Sequence, residues 1–404
     1  MSKIKLTTRT FRVFFSLFLL IVLSRGFFQL FLEKKQAFLI QVIVILVFLF
    51  FSLVTFKIKL KIKYFYSQII LLSFFIISII VSILLTKHFK NGGAPIFYSF
   101  IMLFLTFALI FISSLATNKY GFIDFGKIFI TIIIILFAVS IYEQLTLFLM
   151  PGAWWHGYQV RPASLTGSKQ HYSIIMALLS LLTFQYWLSL KQKKYLFGAI
   201  IGFVAVLLSL SRSGAMILVI AFFFYFFHYL YSVRKIKISL KLFFFLFLGL
   251  ILVLIPLFIY TDLSYFFERV VSSIDANSPG NGGRIDSWIT AIVMISESHT
   301  FVFGEYTGVV TNSTRTLTNT KSFVVESGVL QMIINFGFLG FFSFYLILLN
   351  IYTRIKGTHI FLLVLLFSAL ISTAVYQSIE TIPFIMLLSI IPLVSDDIKT
   401  KQLA

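Results

Sequence analysis

The chain has 404 residues, of which 60% are hydrophobic and only 11% charged, with a mean hydropathy of +1.03. A soluble domain carries roughly 45–50% apolar and about 25% charged residues, so no soluble fold buries this much apolar surface. The net charge of +20 would point to nucleic acid only if the basic residues gathered on one face, but they lie in short segments between apolar runs, so no nucleic-acid partner is expected. With no cysteine in the chain, disulfides, thiolate metal sites and a cysteine nucleophile are excluded.

In chain order, the first apolar run covers Phe11 to Leu32, with Lys3, Lys5 and Arg9 before it and Arg12 at its start. Its length and its lack of a small-residue cleavage pattern predict a retained span and not a signal peptide. A bilayer needs about 20 apolar residues per helix. Runs of that kind recur near 37–56, 68–86, 96–116, 126–149, 172–189, 195–210, 213–232, 240–260, 327–351, 359–375 and 379–394. The expectation is an all-α polytopic membrane protein of about twelve transmembrane helices, forming one integral membrane domain over residues 1–404.

Lys and Arg alternate in density from connection to connection. They concentrate around Lys3–Arg12, Lys57–Lys63, Lys119–Lys127, Lys191–Lys194, Arg234–Lys241, Arg354–Lys356 and Lys399–Lys401. The positive-inside bias of short loops then predicts that both termini are cytoplasmic. Most of the net charge is a topology signal.

One connection is an outlier. Residues 261–325, between the ninth and tenth expected helices, form a long outer loop that is acidic on balance. After Ser278-Pro279-Gly280-Asn281-Gly282-Gly283, the residues Ile285, Trp288, Ile289, Ile292 and Val293 recur at helical spacing. They predict a short amphipathic helix over about 284–297, lying on the outer membrane face.

Charges that topology does not require are the informative ones, because an ionisable group in or beside a span is costly. Arg212, in Ser209-Leu210-Ser211-Arg212-Ser213-Gly214, falls in the first turn of a span that Ser211 would cap. A helix N-terminus favours an anion, so an arginine there suggests that an anion is shared. Arg284, after Gly282-Gly283, repeats the arrangement, and Arg161 lies in an outer loop with Trp154, Trp155, His156, Lys169 and His171. Three arginines converging on one cavity would clamp phosphate oxygens; the alternative is that each pairs locally with a carboxylate or a lipid headgroup. Trp154 and Trp155 read as membrane-interface anchors, and Glu143 and Arg25 as structural or interfacial groups. His156 and His171 lack metal-ligand spacing and a carboxylate partner, so no metal site is expected, and no cofactor.

Glu326, at the head of the tenth span in Val325-Glu326-Ser327-Gly328, is the candidate general base. A carboxylate partly stripped of water suits that role; the alternative is a helix N-terminal carboxylate held by the dipole. Glu305, Asp286 and His171 are weaker candidates.

Together, Arg161-Pro162 with Gly167-Ser168, Ser211-Arg212-Ser213-Gly214, Gly283-Arg284 with Trp288, the glycine turn from Gly304 to Gly308, and Glu326-Ser327-Gly328 followed by Gly337-Phe338-Leu339-Gly340 resemble the O-antigen polymerase and O-antigen ligase superfamily of bacterial envelope glycosyltransferases. The resemblance covers about 161–340. It implies a GT-C-like membrane enzyme of surface polysaccharide or lipopolysaccharide biosynthesis, working at the outer face of the bacterial cytoplasmic membrane on an oligosaccharide linked to undecaprenyl diphosphate. Arg161, Arg212 and Arg284, with Lys169 and His171, would bind the diphosphate and substrate, Arg212 and Arg284 would stabilise the leaving group without a metal, and Glu326 would activate an acceptor hydroxyl. Ligases of the superfamily typically carry a histidine where this chain reads Lys321-Ser322-Phe323 and then Glu326. That difference favours a repeat-unit polymerase, with a chain-length regulator as partner, over an O-antigen ligase. A lipid-linked oligosaccharide flippase is the rival from another class, and such transporters tend to show repeated halves and charges along a central path.

Overall fold

A computed structural model of the chain describes residues 2–54, 59–86, 93–115, 124–156, 159–232, 279–298, 301–309, 311, 324–355 and 359–403. The helices α1 (Ser2–Leu23), α2 (Arg25–Phe28), α3 (Lys34–Val54), α4 (Ile62–Leu85), α5 (Ala94–Ser114) and α6 (Phe125–Thr146) come first. A two-stranded antiparallel hairpin of β1 (Trp154–His156) and β2 (Gln159–Arg161) and a 3-10 turn at Ser164–Thr166 follow. The chain continues with α7 (Lys169–Leu190), α8 (Lys193–Leu208), α9 (Arg212–Ser232), α10 (Pro279–Ser296), α11 (Gly328–Ile355), α12 (Ile360–Val375) and α13 (Ile382–Leu403).

Among the described residues, six helices are long and apolar enough to cross a membrane: α3, α4, Pro95–Ser114 of α5, α6, α7 and α11. Shorter apolar stretches occupy Val13–Leu23, Arg212–His228 and Ile360–Val375. The chain is therefore an all-α polytopic membrane protein with one small hairpin. The expected span at 240–260 and much of the expected loop, including 261–278 and 312–323, lie outside the described residues; the other expected spans, 11–32 excepted, each overlap one helix.

Among the boundaries that depart from the sequence expectation, two bear on the site. The apolar run 11–32 is not one helix: α1 ends at Leu23, Ser24 takes a non-helical conformation, and Arg25 opens the separate short helix α2. Hydrophobicity continued past the break and concealed it. The loop helix begins at Pro279, before the expected start at 284. Proline has no N–H to lose at a first helical position, which favours starting there, and Arg284 consequently sits in the second turn.

Helix α7 is the hub. It is buried from Tyr172 to Tyr186 and packs against α6, α8, α9, α12 and α13. Gly214 of α9 lies so close to α7 that a Cβ would meet the Ser173 backbone oxygen at 2.4 Å. This close approach is the structural reason for a glycine after Ser211-Arg212-Ser213.

Helix α11 is broken at Gly337, whose φ of 66° and ψ of −175° interrupt the helical hydrogen bonding. The N–H groups of Phe338 and Leu339 donate instead to the carbonyls of Phe301 and Val302. Beside the break, Thr307 Oγ1 donates to the Asn335 carbonyl at 2.8 Å, and the Gly308 N–H donates to Asn335 Oδ1 at 2.7 Å. The stretch 301–309 thus descends against the interior of α11 and satisfies it. Irregular backbone at membrane depth is tolerated where protein buries it.

Candidate functional site

The charged groups sort to two ends of the bundle. At the end predicted to be outer, the head of α3, the start of α7, the start of α9, the approach to α11 and the α12–α13 connection enclose a cavity of about 230 Å³. Arg25, Ser168, His171, Ser213, Glu326, Tyr376 and Glu380 are among its lining residues.

Arg284, on α10, does not line the cavity itself but contacts two residues that do, Glu326 and Tyr376. Its Nε donates to Glu326 Oε2, its guanidinium carbon lies 5.1 Å from the centre of the Tyr376 ring, and it also hydrogen-bonds the Tyr376 hydroxyl. Burial pushes the Tyr376 phenol up from its ordinary value, while the charges of Arg284 and Arg212 pull it back and that of Glu326 pushes it up. Tyr376 is therefore a neutral hydroxyl at the meeting point of both arginines and the carboxylate. The side chains of Arg284 and Glu326 are 18% and 44% exposed, so the pair is only partly buried beside the cavity that Glu326 lines. Glu326 has a cation as its neighbour and not the apolar surroundings expected of a lone base.

Arg161 does not line the cavity. It is buried, with Nη2 donating to the Leu210 carbonyl at 2.8 Å and Nε to the Ser209 carbonyl at 3.5 Å. These carbonyls belong to the turn between α8 and α9, where Leu210 has φ of 48°. Arg161 thus holds the turn that presents Arg212, and Ser173 Oγ donates to the Ser211 carbonyl of the same turn at 3.4 Å. Ser211 immediately precedes α9, as expected, and its hydroxyl lies 2.9 Å from Ser213 Oγ.

His171 lines the cavity on the α7 side. Lys169, two residues earlier at the start of α7, has Nζ 4.2 Å from the Trp154 ring centre, a contact between a cation and the negative face of an indole. Trp154 is 56% exposed, as an interfacial anchor would be. Asp286 is exposed and Glu305 buried, and neither lines the cavity. Glu143 accepts the N–H of Met150 at 3.0 Å and of Ser164 at 2.7 Å. Its role is structural, as the sequence indicated.

Other cavity residues were not singled out by the sequence. Tyr376, Gln377 and Glu380 come from the short connection between α12 and α13, and Glu380 Oε2 accepts from Gln331 Nε2 at 3.2 Å. Arg25, read as a structural or interfacial group, lies in the cavity wall, where the charge of Glu380 bears on it. Its placement depends on Gly26, which packs onto Gly167 so tightly that a Cβ would lie 2.4 Å from the Gly167 nitrogen.

Residues 197–345 match the model of the O-antigen ligase family. The match supports the O-antigen polymerase and ligase superfamily that the sequence motifs resemble. It carries Arg212 and Arg284, together with Glu326 and the break at Gly337. No curated protein matches the chain. Membership of this superfamily goes with glycosyltransferase-like enzymes acting on lipid-linked glycans.

Proposed function

We propose that this protein is a polymerase of lipid-linked oligosaccharide repeat units, transferring glycan from a polyprenyl diphosphate carrier to a sugar hydroxyl of an acceptor at the outer face of the bacterial cytoplasmic membrane. The observation that carries the proposal is the gathering of Arg284, Arg212 and Glu326 around Tyr376, with Glu326 and Tyr376 lining one cavity. Two guanidinium groups beside a neutral phenol suit a diphosphate, because a planar fork of donors matches phosphate oxygens and concentrates positive charge where the leaving group develops negative charge.

In this reading Arg212 and Arg284 bind the diphosphate, with Arg161 bracing the turn that presents Arg212. Lys169 and His171 extend the positive and hydrogen-bonding surface toward the glycan. The acceptor oxygen attacks the anomeric carbon, the bond from that carbon to the diphosphate oxygen breaks, and its electron pair leaves with the diphosphate. Glu326 takes the acceptor proton. Binding of the diphosphate to Arg284 draws the guanidinium away from the carboxylate, which couples carrier binding to release of the base. Arginine charge balances the leaving group, and the carboxylate at 326, where ligases typically carry a histidine, favours polymerase over ligase.

Glycan from a strain deleted for the gene separates the readings. Single-repeat glycan identifies a polymerase. Long chains that remain unattached to their final acceptor identify a ligase, and repeats trapped on the inner leaflet identify a flippase.

A further inference from the structure

Beyond the arginine clamp, the cavity has a second wall of different chemistry. It is built from α2, the head of α3, the start of α7 and the α12–α13 connection, and it presents Gln29, Gln41, Gln170 and Gln377 beside Arg25 and Glu380. Gln41 is 0% exposed. Its Nε2 donates to the Val22 carbonyl, and its Oε1 has no partner. Both polar atoms of the Gln377 amide are buried without a partner, as is Arg25 Nε.

Buried polar atoms are nearly always paired, because leaving one unpaired costs about 1–3 kcal/mol. Here several such atoms converge on one cavity, from helices far apart in the sequence. Their chemistry selects a ligand. An amide both donates and accepts, which matches a hydroxyl; a phosphate, being only an acceptor, would meet the amide oxygens unfavourably. The cavity holds about one pyranose ring and not a whole repeat unit. Ser213, Glu326 and Tyr376, the immediate neighbours of the two arginines, line the same space, and in a lipid-linked glycan the group bonded to the diphosphate is the sugar that carries the reacting anomeric carbon.

We propose that this glutamine-lined wall is the subsite for the first sugar of the donor, with Gln377 and Gln41 hydrogen-bonding its hydroxyls and Arg25 with Glu380 closing its far side. The proposal rests on the diphosphate reading of Arg212 and Arg284. It assigns sugar selection to residues outside the matched segment 197–345, so chains that share the clamp can differ in the sugar they accept.

The test uses the full chain in lipid nanodiscs with two probes. One is bare undecaprenyl diphosphate; the other is the glycan-bearing carrier extracted from cells deleted for the gene. The wild type is expected to bind the glycan-bearing carrier more tightly. Gln377→Leu is expected to bind the bare carrier within twofold of wild type and the glycan-bearing carrier about tenfold more weakly. Its melting temperature should not fall, because the amide it removes has no partner. Gln377→Met must show the same split, which guards against a folding defect peculiar to leucine. Equal loss of both ligands with a lowered melting temperature would make Gln377 structural and overturn the subsite, as would unchanged binding of both. If the wild type binds the bare carrier without preferring the glycan, the subsite fails alone. If it binds neither carrier, the diphosphate reading fails with it.

Discussion

Arg284 is held from two sides, by the Glu326 carboxylate and by the Tyr376 ring and hydroxyl, so its charge is already aimed before any substrate arrives. Replacing Arg284 or Arg212 with Ala should leave the protein in the membrane at normal abundance and abolish long-chain glycan in a deletion strain; normal ladders from well-expressed variants would defeat the diphosphate clamp. Arg284→Lys should restore little, since an ammonium keeps the charge but loses the planar fork. Glu326→Gln keeps the shape and an acceptor for Arg284, so it should block turnover while retaining lipid-linked substrate binding; turnover near wild type would move the base elsewhere. Arg161→Ala has a different signature. It strips buried donors from the Ser209 and Leu210 carbonyls, at a cost of about 1–3 kcal/mol. A lowered melting temperature with activity falling in proportion is expected, whereas lost carrier binding at unchanged stability would return Arg161 to the clamp itself.

At the scale of elements, the site depends on two irregular devices. One is the contact of Gly26 with Gly167, which swings Arg25 into the cavity. The other is the break in α11, where 301–309 replaces the lost helical hydrogen bonds. Gly337→Ala would force a side chain into positive φ and place its Cβ 2.3 Å from the Val302 carbonyl oxygen. The conformation alone costs about 1–3 kcal/mol, so a clear drop in melting temperature is expected, and a variant as stable as wild type would show that the break is not needed. The motif glycines were visible in the sequence, but their pairing with 301–309 was not, since nothing in a glycine states which backbone approaches it. Helices were legible because lipid demands long apolar runs. The end of α1 was not, because hydrophobic residues resume beyond Ser24 and Arg25 and keep the run apolar as far as Leu32. Glu380 and Tyr376 went unmarked for a related reason: one carboxylate and one phenol in a short turn between two apolar runs form no periodic pattern, and only the fold brings them to Arg25 and Arg284.

For the whole molecule, ionic groups at the end opposite the cavity serve cohesion. Asp396 binds Lys61 at 2.9 Å and Arg354 at 2.6 Å, and Lys401 joins Asp124 at 2.8 Å to Asp397 at 2.9 Å. These pairs fasten α13 to α4, α6 and α11. Burial pushes the Asp124 carboxyl up, but the hydrogen bond and charge of Lys401, with Lys127, override it and hold the group below the usual carboxylate range. A depressed carboxylate stabilises the fold above its unfolded value, about 4, and that contribution disappears as pH falls through the lower folded value. Asp124→Asn should therefore melt lower than wild type at neutral pH and lose less stability on acidification below about pH 4; parallel curves for the two proteins would deny the linkage. The two ends thus divide the charge, one holding helices together and one carrying the residues proposed for chemistry.

The most direct measurement is the product formed when purified protein in nanodiscs receives the lipid-linked repeat extracted from a deletion strain. The account predicts a ladder of lengthened lipid-linked glycan with free undecaprenyl diphosphate released, and neither product with Arg284→Ala. A wild type that leaves the repeat unchanged, or an Arg284→Ala protein that makes the same ladder, would contradict it.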